Sequence, residues 1–325
     1  MGEIRAMLSA AGACLLFLIS TLSLAGGYPE KPLKIIVPWA AGAAWDVRVR
    51  QLAEIVSKSM GQQVIVDNRP GGGGTLGADV VAKSPPDGYT ILAGSQADQI
   101  LAAEVNGNVP YDASRDFAPV TQVVSATFIM LASNTLEART ASEMIARARK
   151  APGQLTFAST GFGTLTHLLL AELNHAAGVE ITHVPYKSAP AGLADVVAGR
   201  VSLMLDLYTT SGQFIQTGKV RPLFVAAAKR HRALPDVPTA AEVGLPTVSK
   251  RGWGGFFVPA KTPKDIVQRL SKEFALAAQS PSFRQSLEAA GADVVTSSPE
   301  EFEAFLRSER EELRRLVKLA GAKVE

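Results

Sequence analysis

Cysteine is almost missing: of 325 residues only Cys14 carries a thiol, and it lies in a segment that reads as a leader. Beyond that segment, thiol catalysis and thiolate metal sites are therefore excluded. Histidine is scarce as well, with four residues. His167, His175, His183 and His231 do not form the H-E-x-x-H spacing, and none has a carboxylate at motif distance, so no metal or cofactor is expected. No G-x-S-x-G elbow occurs, which removes the nucleophile of that hydrolase class. The net charge is only +3 and Lys/Arg runs are lacking, so nucleic acid is not an expected partner. Long hydrophobic runs are confined to the N-terminus. What remains is a globular composition, 47% hydrophobic and 19% charged, at a length that suits two domains of ordinary size.

The N-terminus has a direction. Arg5 precedes an apolar run over residues 7–24, and Ser23-Leu24-Ala25 closes it with small residues at the two positions that matter. This is the charged, apolar and small-x-small order of a secretory signal, with cleavage expected after Ala25. A membrane anchor is the alternative, since the run approaches spanning length, but Gly, Ser and Thr dilute it. Lipoprotein processing at Cys14 is a weaker alternative, because Ala11 replaces the aliphatic residue that should lie three positions upstream. Export of residues 26–325 to the periplasm is the expectation.

Strand and helix patterns then alternate. Leu33 to Val37, Val64 to Val66 and Tyr89 to Leu92 read as buried strands, the first two separated by a helix with apolar Val47, Leu52, Ile55, Val56 and Met60. A second series starts at Phe128 to Leu131. It continues through Leu155 to Ala158, Ile181 to Val184, Val201 to Leu205 and Pro222 to Ala226. Strands alternating with helices predict parallel βαβ units, and two such series predict two α/β lobes. Thr140 with Glu143, and Ser298 with Glu301, have the form of capping boxes. Thr262-Pro263 and Ser298-Pro299 place a hydroxyl before a first-turn proline. Phe302, Phe305, Leu306, Leu313, Leu316 and Val317 recur at helical spacing, predicting an amphipathic tail helix packed on a lobe.

Two loops share a design that suits an anion. Ile35 to Val37 runs into Pro38-Trp39-Ala40-Ala41-Gly42-Ala43-Ala44-Trp45-Asp46 and a helix. Leu155 to Ala158 runs into Ser159-Thr160-Gly161-Phe162-Gly163-Thr164 and a helix. Each places small residues and free helix-start N–H groups at the carboxyl edge of a parallel sheet. Trp39 and Trp45 flank the first loop and either wall such a site or pack as core, while Asp46 reads as a helix cap. His167 lies one turn into the second helix, facing either ligand or a structural partner. Asp206, ending an apolar strand, contacts either ligand or a backbone amide. Gly72, Gly74 and Gly77 satisfy G-x-G-x-x-G with Asp98 beyond, but Asn68-Arg69-Pro70 intervene after the strand, so a tight structural turn is the preferred reading.

The order of segments resembles a known family. Tyr28-Pro-Glu-Lys-Pro32, Asp67-Asn-Arg-Pro-Gly-Gly72, Pro86-Asp-Gly-Tyr89, Asp116-Phe-Ala-Pro-Val120, His183-Val-Pro-Tyr-Lys187, Leu234-Pro-Asp-Val-Pro-Thr239 and Pro259-Ala-Lys-Thr-Pro263 are similar to signatures of the Bug family, the extracytoplasmic solute receptors of tripartite tricarboxylate transporters. The resemblance covers essentially the whole chain after the leader. It implies a two-lobed periplasmic-binding-protein fold of the Venus-flytrap, type II-like kind, each lobe a mostly parallel sheet flanked by helices. Residues 28–125 with 228–325 would form one lobe and 126–227 the other. It also implies a monomer that binds a small carboxylate through the two loops and a third at Ser95-Gln96, then docks on the membrane permease. Thr164 and its neighbouring amides fit the family's glycine loop. The first loop departs: where the family reads Pro-Gly-Gly-Gly-Thr-Asp, this chain has Ala41-Gly42-Ala43-Ala44-Trp45-Asp46. The added methyl groups and the indole point toward a bulky or aromatic acid. A periplasmic sensor shares every one of these features, and a periplasmic enzyme would need a converging nucleophile and base that the sequence does not offer.

Overall fold

The structure is a computed structural model that describes residues 27–323. The leader reading, with Cys14 and the cleavage after Ala25, lies outside the described residues.

Ten strands form one continuous mixed sheet in the order β2-β1-β3-β9-β4-β7-β5-β6, with β8 and β10 pairing β4 off this path. On one side, β1 (Leu33–Val37) runs parallel to β2 (Val64–Asn68) and β3 (Thr90–Ser95). On the other, β5 (Thr156–Ser159) runs parallel to β6 (Thr182–Pro185) and β7 (Leu203–Leu207). These keep the two predicted parallel series, except that the segments from Phe128 and Pro222, expected in the second, pair antiparallel. The difference lies between them, where every added strand is antiparallel. Strand β4 (Phe117–Ser133) is one 17-residue strand rather than the short one expected from residue 128. Its first part pairs β9 (Arg251–Pro259) and β10 (Ala292–Val294), and its last part pairs β7 and β8 (Val220–Val225). β9 escaped the sequence reading because Gly252, Gly254 and Gly255 interrupt its hydrophobic pattern.

Helix α1 (Ala44–Met60) packs one face on the first parallel series. Val49, Leu52, Ala53, Val56 and Met60 recur every three or four residues and are buried, while Val47, expected in that stripe, is exposed. Gly61 stops the helix with a left-handed C-cap. Helix α2 (Thr75–Ala82) follows the glycine tract. Gly77 there is a matter of space: a Cβ would lie 2.9 Å from the Pro38 Cα. The G-x-G-x-x-G match thus brings backbone onto backbone, and Asp98 is occupied by the Ser95 N–H at 3.0 Å.

Short helix α3 (Ala102–Asn106) follows a π-helical turn, Ala97–Leu101. Helices α4 (Ala141–Lys150), α5 (Leu165–Ala177), α6 (Ala189–Val197) and α7 (Tyr208–Gln216) flank the second series. Thr140 caps α4, but Glu143 reaches back to the Arg139 N–H, one residue before the position a capping box requires. Thr262 does not cap α8 (Lys264–Gln279): its hydroxyl donates to the Pro259 carbonyl, and Pro263 occupies the N-cap. Helix α9 (Pro281–Ala289) follows.

The tail helix α10 (Pro299–Leu319) begins with the predicted capping box of Ser298 and Glu301. It does more than cover one half of the sheet. Its buried Phe302, Leu306, Leu313, Leu316 and Val317 belong to a core cluster that also contains Leu168, Leu169 and Leu173 of α5 and Ile36 and Leu92 of the first series. Arg314 donates to Glu104 of α3 at 2.8 Å and Arg315 to the buried Glu172 of α5 at 2.9 Å. The halves therefore share one core cluster, beside one cluster particular to each.

Candidate functional site

The carboxyl ends of β1, β3, β5 and β7 converge on one cavity of about 860 Å³. That is where open α/β sheets leave room for ligands, because each strand hands over to a helix there. The volume suits a small-molecule pocket. Trp39, Ala43, Ala44 and Trp45 line it from the first loop, Ser95 and Gln96 from the end of β3, Thr160, Phe162, Gly163 and Thr164 from the second loop, and Asp206 from the end of β7. Ala40, Ala41, Gly42, Asp46, Gly161 and His167, also candidates from sequence, stand outside this wall.

The first loop is held from beneath by Asp46, which is 1% exposed. Its Oδ2 accepts from the Gly42 N–H at 2.8 Å and from Arg50 Nε at 3.1 Å, and its Oδ1 accepts from Asn68 Nδ2 at 2.8 Å. Asn68 Nδ2 also donates to the Trp39 carbonyl at 3.0 Å. Burial alone would raise the Asp46 pKa, but the hydrogen bonds from Arg50, Asn68 and Gly42 hold it below the usual carboxylate range. Asp46 is a fastener for the backbone of residues 39–42. With that loop fixed, α1 opens toward the cavity with no side-chain cap. Trp45 lies across the floor: Nε1 donates to the Ala93 carbonyl at 2.9 Å, and the ring stands 6.0 Å from that of Phe256. A Cβ on Gly254 would come within 2.9 Å of the Trp45 ring, so β9 gives up a side chain where the indole lies.

The second loop is cross-tied by hydroxyls. Thr164 Oγ1 donates to the Gly161 carbonyl at 2.7 Å, and Thr166 Oγ1 accepts from the Thr160 N–H at 3.1 Å. Ser159 Oγ meets both the Gly161 N–H at 3.1 Å and His183 Nε2 at 2.6 Å. His167 Nδ1 accepts from the Gly163 N–H at 3.1 Å, and its ring stacks on His183 at 4.0 Å. His167 thus shapes the loop from behind. Helix α5 then starts at Leu165 without a side-chain cap, its first N–H groups next to the lining residues Thr164, Leu165 and Thr166. His231 serves elsewhere, its Nε2 3.0 Å from the Gly291 carbonyl. Among the described residues no three His, Cys, Asp or Glu side chains gather into a metal site.

His167 gives the second loop a pH dependence. Burial first, and the neighbouring His183 second, lower its pKa to about 4. The folded state therefore prefers the neutral ring, and between the ordinary value of about 6.5 and that lowered value the unfolded chain binds more protons. Stability from this group is complete above about pH 6.5 and is lost as the pH falls toward 4. Buried Asp98 and Asp206, both raised to about 7 by burial, act in the opposite sense over the same window. The check is a comparison of unfolding free energies at neutral pH and near pH 4.5. His167→Gln, which still accepts from Gly163, should lose about 2 kcal/mol less than the unchanged protein on acidification. Equal losses would show that His167 does not carry this dependence.

Several wall residues carried no sequence signal. Arg48 lies one turn along α1 from Ala44 and Lys187 follows β6, and both line the cavity. Neither has a carboxylate within salt-bridge distance among the described residues. Arg48 Nη1 is tied instead to the neutral acceptors Gln51 and Ser286, and Arg48 is only partly buried. Thr209 and Thr210, in the first turn of α7, were findable by the same rule that exposed the other loops. Gly252, Trp253 and Gly254 were not, because β9 was not recognised. Gln96 joins the walls, its Oε1 accepting from the Trp253 N–H at 3.0 Å. Aromatic surface comes from Trp39, Trp45, Phe128, Phe162 and Trp253. Two wall residues carry a buried polar atom without a hydrogen-bond partner, Asp206 Oδ2 and Trp253 Nε1.

Comparison with known proteins places this geometry. Residues 48–322 match the family model described as the tripartite tricarboxylate transporter family receptor. The UPF0065 protein in the tcbD-tcbE intergenic region of Pseudomonas sp. strain P51 is 38% identical over 291 residues, covering 89% of this chain and 86% of that protein. The R. palustris protein Rpa4515, solved with adipate, is 31% identical and superposes with a TM-score of 0.81, covering 90% of this chain and 98% of that one. The periplasmic binding protein BugD is 32% identical with a TM-score of 0.78, covering 92% and 100%. The fold is that of periplasmic binding proteins.

Proposed function

This chain belongs to the tripartite tricarboxylate transporter family of solute-binding receptors, and from that premise we propose that it captures a small carboxylate, bulky or aromatic in its apolar part, for delivery to the membrane subunits of such a transporter. The observation that carries the ligand class is the convergence of two uncapped helix starts, α1 and α5, on one cavity whose wall also holds Arg48 and Lys187 without carboxylate partners. Free N–H groups, the positive ends of two helices and two cations all favour an anion, and a largely apolar surround strengthens the hydrogen bonds it accepts. The aromatic wall favours an apolar body. Adipate in Rpa4515, at 31% identity, supports the same class.

The site further suggests how the solute is held. We take residues 28–125 with 228–325 as one lobe and 126–227 as the other, since β4 exchanges partners near Phe128. The lobes close on the solute and the closed form docks on the permease. Residues 1–25 direct export and are removed, which places the receptor in the periplasm as a monomer.

Calorimetric titration of the purified protein with aliphatic, aromatic and amino-substituted carboxylates tests the reading. At least one should bind with a Kd of about a micromolar or tighter. If none binds while uncharged analogues do, the anion assignment is wrong.

A further inference from the structure

The charged side chains of the cavity wall are Arg48, Lys187 and Asp206. The first two suit the carboxylate already assigned. Asp206 has the opposite sign and a different standing. It is 3% exposed, and its Oδ2 is buried without a hydrogen-bond partner. The other buried aspartates nearby are occupied: Asp46 holds Gly42, Arg50 and Asn68, and Asp98 holds the Ser95 N–H. No Lys, Arg or His lies within salt-bridge distance of Asp206 among the described residues. Its strand neighbours Leu205 and Leu207 are apolar, and it faces Ile129 across the β4–β7 ladder. The Leu207 N–H serves this carboxyl, but Oδ2 stays idle. Burying an idle oxygen is unfavourable, so Oδ2 needs a partner that the chain itself does not supply.

The cavity is where that partner comes from. Asp206 ends β7 at the wall, beside Thr209 and Thr210 of the next helix start. An aspartate carboxyl turns about a broad terminal torsion, so a small rotation presents an oxygen to a bound molecule. We propose that Asp206 is the specificity-determining group for a hydroxyl or amino donor on the ligand, so that the solute is a carboxylic acid bearing such a donor rather than an unsubstituted acid. This deepens the carboxylate reading above and rests on it. A site built to accept from a donor discriminates strongly against the analogue that lacks it, because the buried acceptor is then left unpaired.

The test is a set of matched ligands titrated calorimetrically into the purified protein. One series is benzoate against meta- and para-hydroxybenzoate and para-aminobenzoate, and the other is succinate against malate and aspartate. In one series at least, the donor-bearing acid should bind about tenfold tighter than its parent, the worth of one hydrogen bond to a charged group. Asp206→Ala should shrink that ratio below about threefold. A second readout does not depend on that variant folding. Burial holds the Asp206 carboxyl at about 7, and a donated hydrogen bond favours its ionised form. Binding of the hydroxy acid should therefore release a proton near neutral pH that the parent does not release, and Asp206→Asn should remove the release. If the parents bind as tightly as every donor-bearing acid, or if the preference survives in folded Asp206→Ala, the inference is overturned while the carboxylate reading stands. If no member of either series binds, the inference is overturned, and the carboxylate reading falls with it only if the wider panel of carboxylates also fails to bind.

Discussion

Gly163→Val is expected to abolish measurable ligand binding, weakening it by about 100-fold or more. Two separate effects act at this position. The backbone there is left-handed, φ 72°, a region that costs a β-branched residue about 2 kcal/mol. A Cβ would also lie 2.6 Å from Cγ1 of Val105, which is buried on α3 at the facing wall of the cavity. Relief from either requires the second loop to move, and movement breaks the Gly163 N–H bond to His167 and shifts Thr164. The two effects can be separated. Gly163→Ala should lose about tenfold, and adding Val105→Ala should restore the part due to contact but not the part due to backbone strain. Titration of any carboxylate that binds the unchanged protein is the measurement. Retention of affinity within about threefold in Gly163→Val would mean that this loop does not set the site.

Asp46→Ala should produce the larger loss of stability, about 3 kcal/mol, seen as a fall in Tm of about 6 °C. The change leaves the Gly42 N–H and one of the two Asn68 Nδ2 hydrogens without their acceptor beside a void, and releases Arg50. Arg50 is about half exposed, so its ion pair adds only a minor share. Asp46→Asn keeps one acceptor but turns an amide donor toward the others, and should lose roughly half as much. The contribution belongs to the ionised carboxylate, whose folded pKa is lowered. It is present at neutral pH and fades as the pH falls below the ordinary carboxylate range. Ligand affinity should fall with it, because the first loop loses its fastener. A Tm within about 1 °C of the unchanged protein would show that the loop holds itself in place.

The two parallel series were legible, because strand-length apolar runs alternating with helical spacing admit few other arrangements. So were the two small-residue loops, since their position after a strand and before a helix is a local fact. Val105 and Gly163 illustrate the opposite case: nothing in either segment says that they meet. Arg48 gave no signal because a lone arginine on a helix is nearly always solvated. Asp46 reads from sequence as a helix cap and His167 as facing either ligand or a structural partner, while the structure sets both behind the loops, where they hold backbone N–H groups. Strand β9 was missed outright. Its glycines lower strand propensity, and their reason is the Trp45 ring and the Phe302 ring from elsewhere in the chain.

By itself, then, the sequence determined the α/β class, the two repeated series and the carboxyl-edge loops, all consequences of periodicity and of residues within one turn of each other. Only the tertiary structure decided that β4 runs unbroken through both halves, that the tail helix ties them together through Glu104 and Glu172, and which side chains wall the cavity. The physical reason is range. Strand and helix preferences act over a few residues, whereas the wall joins positions from Trp39 to Ala292 whose proximity depends on burying one shared core.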